Sequence, residues 1–474
     1  MLFNSYVFLL TFLPLVLVLF YLARRHVGWT GAIGVIALSS LCFYAWWEPR
    51  NLPILLTSIL ANYALSLAIE HNREARPELG RWLRNVGVAL NLVALGIYKY
   101  PAFAIATWND FSGAGLSIPE VVLPLAISFF TFQQIAYLVD VAKGVRAERS
   151  LLRYGVFVSF FPQLIAGPIV QFRDIRAFLE HAHAPALALG LSLFTVGLAK
   201  KVLLADTLAP HVRSAFGSAY LGSVDIWTAW TGLIAYTLQI YYDFSGYSDM
   251  ALGLGLMFGL RLPINFFSPY KAGNIADFWR RWHMTLSSFL RHYLYIPLGG
   301  SRGSGWRTAR NLGLTMLLGG LWHGANWTFV VWGAWHGLLL ILHRFSGWIR
   351  VPAMLASLFT LACVMFGWLI FRSPDLESAA VMAMALVTPA PMPPHYLDLS
   401  TQWQLYAALA LGILIARRAP NSAQIFLNAR LASHDEATTL RWQPGLGWML
   451  ATAFLLALSI ACLSRETEFL YFQF

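Results

Sequence analysis

Two of the chain's 12 histidines sit where an imidazole could do chemistry. His323 lies in the run Gly319-Gly320-Leu321-Trp322-His323-Gly324-Ala325-Asn326, and the last basic residue before it is Arg310. A helix from Arg310 to His323, rising about 1.5 Å per residue, reaches roughly 20 Å, past the middle of a ~30 Å hydrocarbon core. An ionisable group at such depth is costly and is a functional candidate by default. Burial favours the neutral imidazole, the form a general base requires. The bland alternative is a ring bonded to a neighbouring carbonyl. His283 follows Trp279 by four residues and precedes Leu286 by three, which places it on or beside the apolar face of an amphipathic stretch. From there it could point into the protein and meet a donor from the cytosol, or be a polar residue at the helix shoulder.

Other groups are weaker. On one unbroken helix His336 would be turned about 220° from His323, so the two diverge unless Gly319, Gly320 and Gly324 break the helix between them. His343 shares the face of His336 and reads as helix packing. Asp243 and Asp249 lie in an apolar region and need partners; Arg280, Arg281 or a histidine would serve. His181 and His183 lack a third ligand, and no metal spacing occurs elsewhere. Walker loops, dinucleotide fingerprints, Gly-x-Ser-x-Gly elbows and zincin motifs are all missing. The stretch 261–311 holds eight Lys or Arg against Asp277 alone, so its charge could attract a phosphate-bearing cosubstrate.

The elements that must position these residues are membrane helices. The sequence is 58% hydrophobic and only 12% charged, about half the charge of a soluble domain. Its 19 Trp and 19 Tyr suit bilayer interfaces. Apolar runs of spanning length, about 17–25 residues, are clearest at 5–22, 28–47, 52–69, 121–141, 187–205, 353–371 and 446–463. Shorter or interrupted ones lie at 86–100, 154–170, 227–260, 312–342 and 403–416. Strand alternation is absent, which argues against a barrel, and helices remain as the way to pair backbone groups in lipid. Pro162, Gly167 and Pro168 interrupt one run, and 243–260 is rich in glycine. Both predict broken or re-entrant helices around a cavity. The stretch 277–293 predicts one amphipathic helix lying in the cytoplasmic interface. Trp279, Trp282, Leu286, Phe289, Leu290 and Tyr293 form one face, and Asp277, Arg280, Arg281, Ser287, Ser288 and Arg291 the other.

Basic loops after the first, third and fifth runs (Arg24 and Arg25; Arg73 to Arg84; Lys143 to Arg153) place the N-terminus outside and those loops in the cytoplasm. The net charge of +11 suits anionic lipid headgroups. Nucleic-acid binding would need a basic face on a soluble module, and no polar stretch is long enough to build one. Cys42, Cys363 and Cys462 lie in apolar runs and read as small core residues. Met1 to Leu22 reads as a retained first span rather than a cleaved signal.

Several long motifs in order resemble the membrane-bound O-acyltransferases, in the alginate O-acetyltransferase branch. They are Phe161-Pro162-Gln163-Leu164-Ile165-Ala166-Gly167-Pro168-Ile169, Asp243-Phe244-Ser245-Gly246-Tyr247-Ser248-Asp249 and Phe278-Trp279-Arg280-Arg281-Trp282-His283. Tyr293-Leu294-Tyr295-Ile296-Pro297-Leu298-Gly299-Gly300, Leu321-Trp322-His323-Gly324-Ala325 and Trp335-His336-Gly337 follow, with Phe469 to Phe474 at the end. The matches run through the whole chain and are densest over 121–345. The resemblance implies one membrane-embedded domain over 1–474, an all-α bundle of roughly 11 transmembrane helices with re-entrant and interfacial helices around a central tunnel.

It also implies that His323 is the catalytic histidine and His283 the second important one. Asp243, His336, Trp322 and Asn326 would support them or line the tunnel. Arg280, Arg291 and Arg302, with Arg281, would hold the donor's phosphates. The chain departs from the branch at Arg291-His292-Tyr293, where Asp commonly stands in place of His292. The activity implied is acetyl transfer from a cytosolic thioester, acetyl-CoA, with no bound cofactor. The acceptor would be an exported polysaccharide such as alginate, cellulose or peptidoglycan. A periplasmic acetyltransferase or export assembly would be the partner, membrane lipids the surroundings, and a bacterial inner membrane the location. Transfer to a lipid or protein hydroxyl, or transport without chemistry, are the alternatives.

Overall fold

In a computed structural model, the described residues are 1–165, 167–346, 351–431 and 438–463. The motif residue Ala166 and the terminal Phe469 to Phe474 lie outside them. Among the described residues all regular structure is helical. By length and composition Phe8–His26, Pro49–Ala75, Leu187–Tyr220 and Ala353–Arg372 can cross a membrane, and Pro77–Lys99 with Pro101–Ser112 forms a fifth candidate bent by 59°. Trp29–Ala45, Ile127–Ala142, Leu376–Ala385 and Leu446–Ala461 are apolar but shorter. The Gly305–His323 and Trp327–Phe345 helices have 19 residues each, or about 28 Å at 1.5 Å per residue. Their arginines, histidines and tryptophans make them less apolar than an ordinary span.

The chain divides into two compact units, Met1–Leu191 with Ala251–Pro263, and Ser192–Met250 with Ile264–Phe474. In the first, Phe8, Phe12, Phe43 and Phe161 form an aromatic nest, with Phe12 and Phe43 each 5.4 Å from Phe161. The helix Leu151–Ser159 stops at Phe160, and a single turn, Phe161–Leu164, precedes irregular backbone. This is the break that Pro162 and Gly167 predict. Asn62 and Asn91 bridge two of this unit's long helices, Asn91 Nδ2 donating to Asn62 Oδ1 at 2.7 Å.

The stretch 243–260 differs from expectation. It belongs to one unbroken helix, Ile226–Phe258. Its glycines serve close packing: a side chain at Gly246 would run into the Gly197 carbonyl oxygen at 2.7 Å.

The second unit holds the candidate site. Trp332 and Trp368 are fully buried in its core with Tyr236 and Tyr242. Gly305–His323 and Trp327–Phe345 form a tight hairpin closed by Gly324, Ala325 and Asn326. Asn326 accepts from Thr328 N at 3.0 Å as the N-cap and donates to the Pro374 carbonyl at 2.7 Å. Gly320 and Gly333 let the two backbones approach; a Cβ at either would collide with a carbonyl oxygen, of Phe329 or Met316.

Candidate active site

The segment from 264 to 295 is neither one helix nor a surface helix. Ile275–Arg281 is capped by Asn274, whose side chain accepts from Asp277 N at 2.8 Å. Trp282 then turns extended, and His283 adopts the left-handed conformation, φ 42° and ψ 55°, before Met284–Leu290 begins. Such a conformation is uncommon outside glycine and persists where the surroundings over-determine it. Asn265 does so here. Its carbonyl accepts from Met284 N at 2.9 Å. Its side-chain Oδ1 lies 3.0 Å from His283 Nδ1 and accepts from Thr285 Oγ1 at 2.9 Å and Thr285 N at 3.3 Å. Its Nδ2 donates to Ser248 Oγ at 3.3 Å.

A backbone N–H can only donate, so the contact with Thr285 N identifies the Asn265 atom as oxygen. His283 Nδ1 therefore carries the hydrogen, and Nε2 keeps its lone pair in the neutral ring. The helical periodicity of 277–293 hid this break. Both sides of the segment are occupied, with Ile275, Phe278, Trp282, His283, Leu286 and Phe289 all buried.

His323 ends a helix that is continuous from Arg310; the break before His336 falls at Gly324, while Gly319 and Gly320 stay inside the helix. The hairpin turn then brings His336 back toward it. A chain of ring contacts joins the candidates. Phe244 meets His283 edge-on at 4.7 Å, and His283 and Trp322 are 6.4 Å apart. Trp322 and His323 are 4.9 Å apart, His323 and Trp332 5.1 Å, and Trp332 and His336 4.9 Å. Phe371 adds a further wall at 5.3 Å from His323. His323 keeps 8% of its surface exposed, against 1% for His283 and none for His336. His323 is thus the most accessible of the three imidazoles.

His336 is caged by Trp279 at 5.2 Å and lies nearly parallel to Phe278 at 6.2 Å. Neither of its ring nitrogens has a hydrogen-bond partner among the described residues. Gly367 makes room for it, since a Cβ there would meet His336 Nε2 at 2.7 Å.

The partner of Asp243 differs from expectation. Its carboxylate pairs with Lys201 at 2.7 Å, and Lys201 also meets Asp206 at 2.7 Å; all three side chains are at most 2% exposed. Neighbouring Lys200 pairs with Asp249 at 2.6 Å, and Ser422 Oγ donates to the same carboxylate oxygen at 2.6 Å. Both lysines stand on the π-helical turn Lys200–Ala205. Arg281 is committed to its own segment, with Nε 3.0 Å from Asp277 Oδ1 and its carbonyl accepting from Phe267 N at 2.9 Å. Arg280, Arg291 and Arg302 are exposed. His292 is exposed as well, its Nδ1 2.8 Å from the Ser288 carbonyl, so the departure from the branch falls on the surface. The sequence reading missed Asn265, Trp332, Lys201 and Asp206. Only the unusual Lys-Lys pair inside an apolar run could have signalled two of them.

A neutral imidazole at a helix end, walled by aromatic rings and slightly open, can take a proton from a hydroxyl or carry an acyl group. Residues 142–371, which contain this constellation, match the membrane-bound O-acyltransferase family. A "Probable alginate O-acetylase AlgI" of Azotobacter vinelandii is 39% identical over the full length of both chains. The protein of that name in Pseudomonas aeruginosa is 43% identical, covering 81% of this chain and 75% of its own. A "Peptidoglycan O-acetyltransferase" of Helicobacter pylori is 40% identical, covering 82% and 80%. The chain belongs to the membrane-bound O-acyltransferase family. It is therefore a multi-pass membrane acyltransferase, and the reading as a transporter without chemistry falls away.

Proposed function

We propose that the protein moves an acetyl group from cytosolic acetyl-CoA to a hydroxyl on the far side of the membrane, destined for an exported polysaccharide. One observation carries this reading: His283 and His323 flank Trp322, so two separate elements converge on one place. One of them is the segment rich in arginine, and the other is the C-terminal end of the Gly305–His323 helix. The names of the relatives, an alginate O-acetylase and a peptidoglycan O-acetyltransferase, support acetyl transfer to a polymer.

In this scheme the exposed Arg280, Arg291 and Arg302 attract the donor's phosphates, and the thioester follows a tunnel to His323. His323 takes the proton of the acceptor hydroxyl as its oxygen attacks the thioester carbonyl. The tetrahedral intermediate collapses with loss of the thiolate, which recovers the proton from the imidazolium. The products are the acetyl ester, free thiol and neutral His323. His283, held as the Nδ1–H tautomer, directs its Nε2 lone pair into the same neighbourhood and orients a reacting group. The acceptor is the hydroxyl of an extracytoplasmic acetyltransferase that passes the group to the polymer. The membrane is a bacterial inner membrane, with the N-terminus outside and the basic loops inside.

The test is the purified protein in proteoliposomes with acetyl-labelled CoA. Wild type should cleave the thioester only when acceptor is present, with label in the partner or polymer fraction. His323→Ala should lower the rate by about 10²–10⁴-fold with insertion unchanged. Label in lipid would assign the acceptor to a lipid hydroxyl instead, and full activity in His323→Ala would remove the mechanism.

A further inference from the structure

Two adjoining cavities of about 280 and 220 Å³ in the unit Met1–Leu191/Ala251–Pro263 share Glu148, Arg149 and Arg153. Trp29, Ile33, Leu152 and Leu179 give one of them an apolar wall, and Arg146 and Arg176 add positive charge to the other. Some of this charge is already used. Arg149 pairs with Glu70, and Arg176 with Glu180 at 2.8 Å. The hydrogen bond from Arg176 holds the Glu180 carboxyl below its ordinary range, so it stays ionised and engaged. Glu148 is turned to its own backbone, accepting from Ser150 N at 2.9 Å. Arg146 and Arg153 make no ion pair among the described residues.

The charge of Arg153 also helps keep Glu180 ionised, but neither guanidinium is held in a close ion pair; Arg153 lines both cavities and Arg146 the second, next to the apolar slot. A guanidinium fork matches phosphate oxygens in a bidentate way. The apolar wall beside it selects an amphiphile over a wholly polar phosphate ester. Trp29 opens the Trp29–Ala45 helix and ties its Nε1 to the Phe178 carbonyl at 3.0 Å, fixing the wall. The segment 143–153, a loop running into the first turn of the Leu151–Ser159 helix, is one of the basic stretches that the positive-inside rule assigns to the cytoplasmic face, and that leaflet carries anionic lipid.

We propose that this cleft is a binding site for an anionic phospholipid, its phosphate on Arg146 and Arg153 and an acyl chain along Trp29, Ile33 and Leu152. The site is independent of the acyl-transfer reading. The full-length protein is purified, placed in phosphatidylcholine nanodiscs, and titrated with phosphatidylglycerol. Retained lipid is read by native mass spectrometry and stability by thermal unfolding. Wild type should retain about one phosphatidylglycerol per chain, at least tenfold preferred over phosphatidylcholine, with a rise in melting temperature. The variant R146Q/R153Q should lose both effects. R76Q/R84Q, which removes equal charge from the basic stretch 73–84, should keep them. If R146Q/R153Q fails to insert, Thr30→Trp, which narrows the cleft from its exposed side, replaces it with the same loss expected. Equal retention by the cleft variant and the control, or equal binding of the two lipids, overturns the proposal. Displacement of phosphatidylglycerol by free coenzyme A also overturns it, assigning the cleft to the donor.

Discussion

Asn265 Oδ1 stands 3.0 Å from His283 Nδ1, and the same oxygen accepts from Thr285 N at 3.3 Å. One amide oxygen thereby fixes the backbone turn, the ring orientation and the tautomer of a buried histidine. Asn265→Ala removes all three, whereas Asn265→Asp keeps an acceptor in place. A lost neutral hydrogen bond costs about 0.5–1.5 kcal/mol, up to about tenfold in rate. Acetyl transfer should therefore fall by about tenfold in the alanine variant and recover in large part in the aspartate variant. Equal loss in both would show that Asn265 acts only as a structural amide.

His336 is fully buried, and its ring nitrogens are unpartnered among the described residues. An unsatisfied buried polar group costs about 1–3 kcal/mol. His336→Phe keeps a flat ring among Trp279, Phe278 and Trp332 and removes that cost. Its melting temperature should equal or exceed that of wild type, against the usual loss for a core substitution. A clear drop in thermal unfolding would mean that the imidazole makes a polar contact in the membrane.

Lys201 joins Asp206 and Asp243, each at 2.7 Å, with almost no exposure. Lys201→Met leaves two carboxylates buried without their cation. Removing one partner of a buried ion pair costs about 3–5 kcal/mol. The methionine variant should show a large loss of folded yield and melting temperature, and K201M/D206N/D243N should recover much of it. Tolerance of Lys201→Met alone would contradict the buried cluster.

Gly320 faces the Phe329 carbonyl across the hairpin. Gly320→Ala forces the Gly305–His323 and Trp327–Phe345 helices apart at the turn that sets His323 against Trp332. The rate should fall by about 10-fold or more, as small misplacements near reacting groups do, with expression retained. Gly34→Ala, where an added Cβ meets nothing within 4 Å, is the control. Equal rates in the two variants would remove the close approach from the account.

The continuous helix from Arg310 to His323 was legible in the sequence, and His323 is buried at its end. The family motifs located His283, but its geometry was hidden. The residue that breaks the helix there, Asn265, comes 18 positions earlier and leaves no mark on the periodicity of 277–293. The partner of Asp243 was sought among Arg280, Arg281 and the histidines and is Lys201, which lies inside the apolar run 187–205. Glycines misled at 243–260 because a glycine can break a helix or let two helices touch, and one sequence does not say which. At Gly246 it is contact, with the Gly197 carbonyl.

The turn Gly324 to Asn326 is pinned at Asn326, whose side chain accepts from Thr328 N and donates to the Pro374 carbonyl. His323 and His336 are therefore carried on one closely packed helical hairpin. His283 stands between two short helical pieces at a left-handed turn that Asn265 holds. The placement of one imidazole thus rests on a helical hairpin, and that of the other on the grip of a single side chain, Asn265.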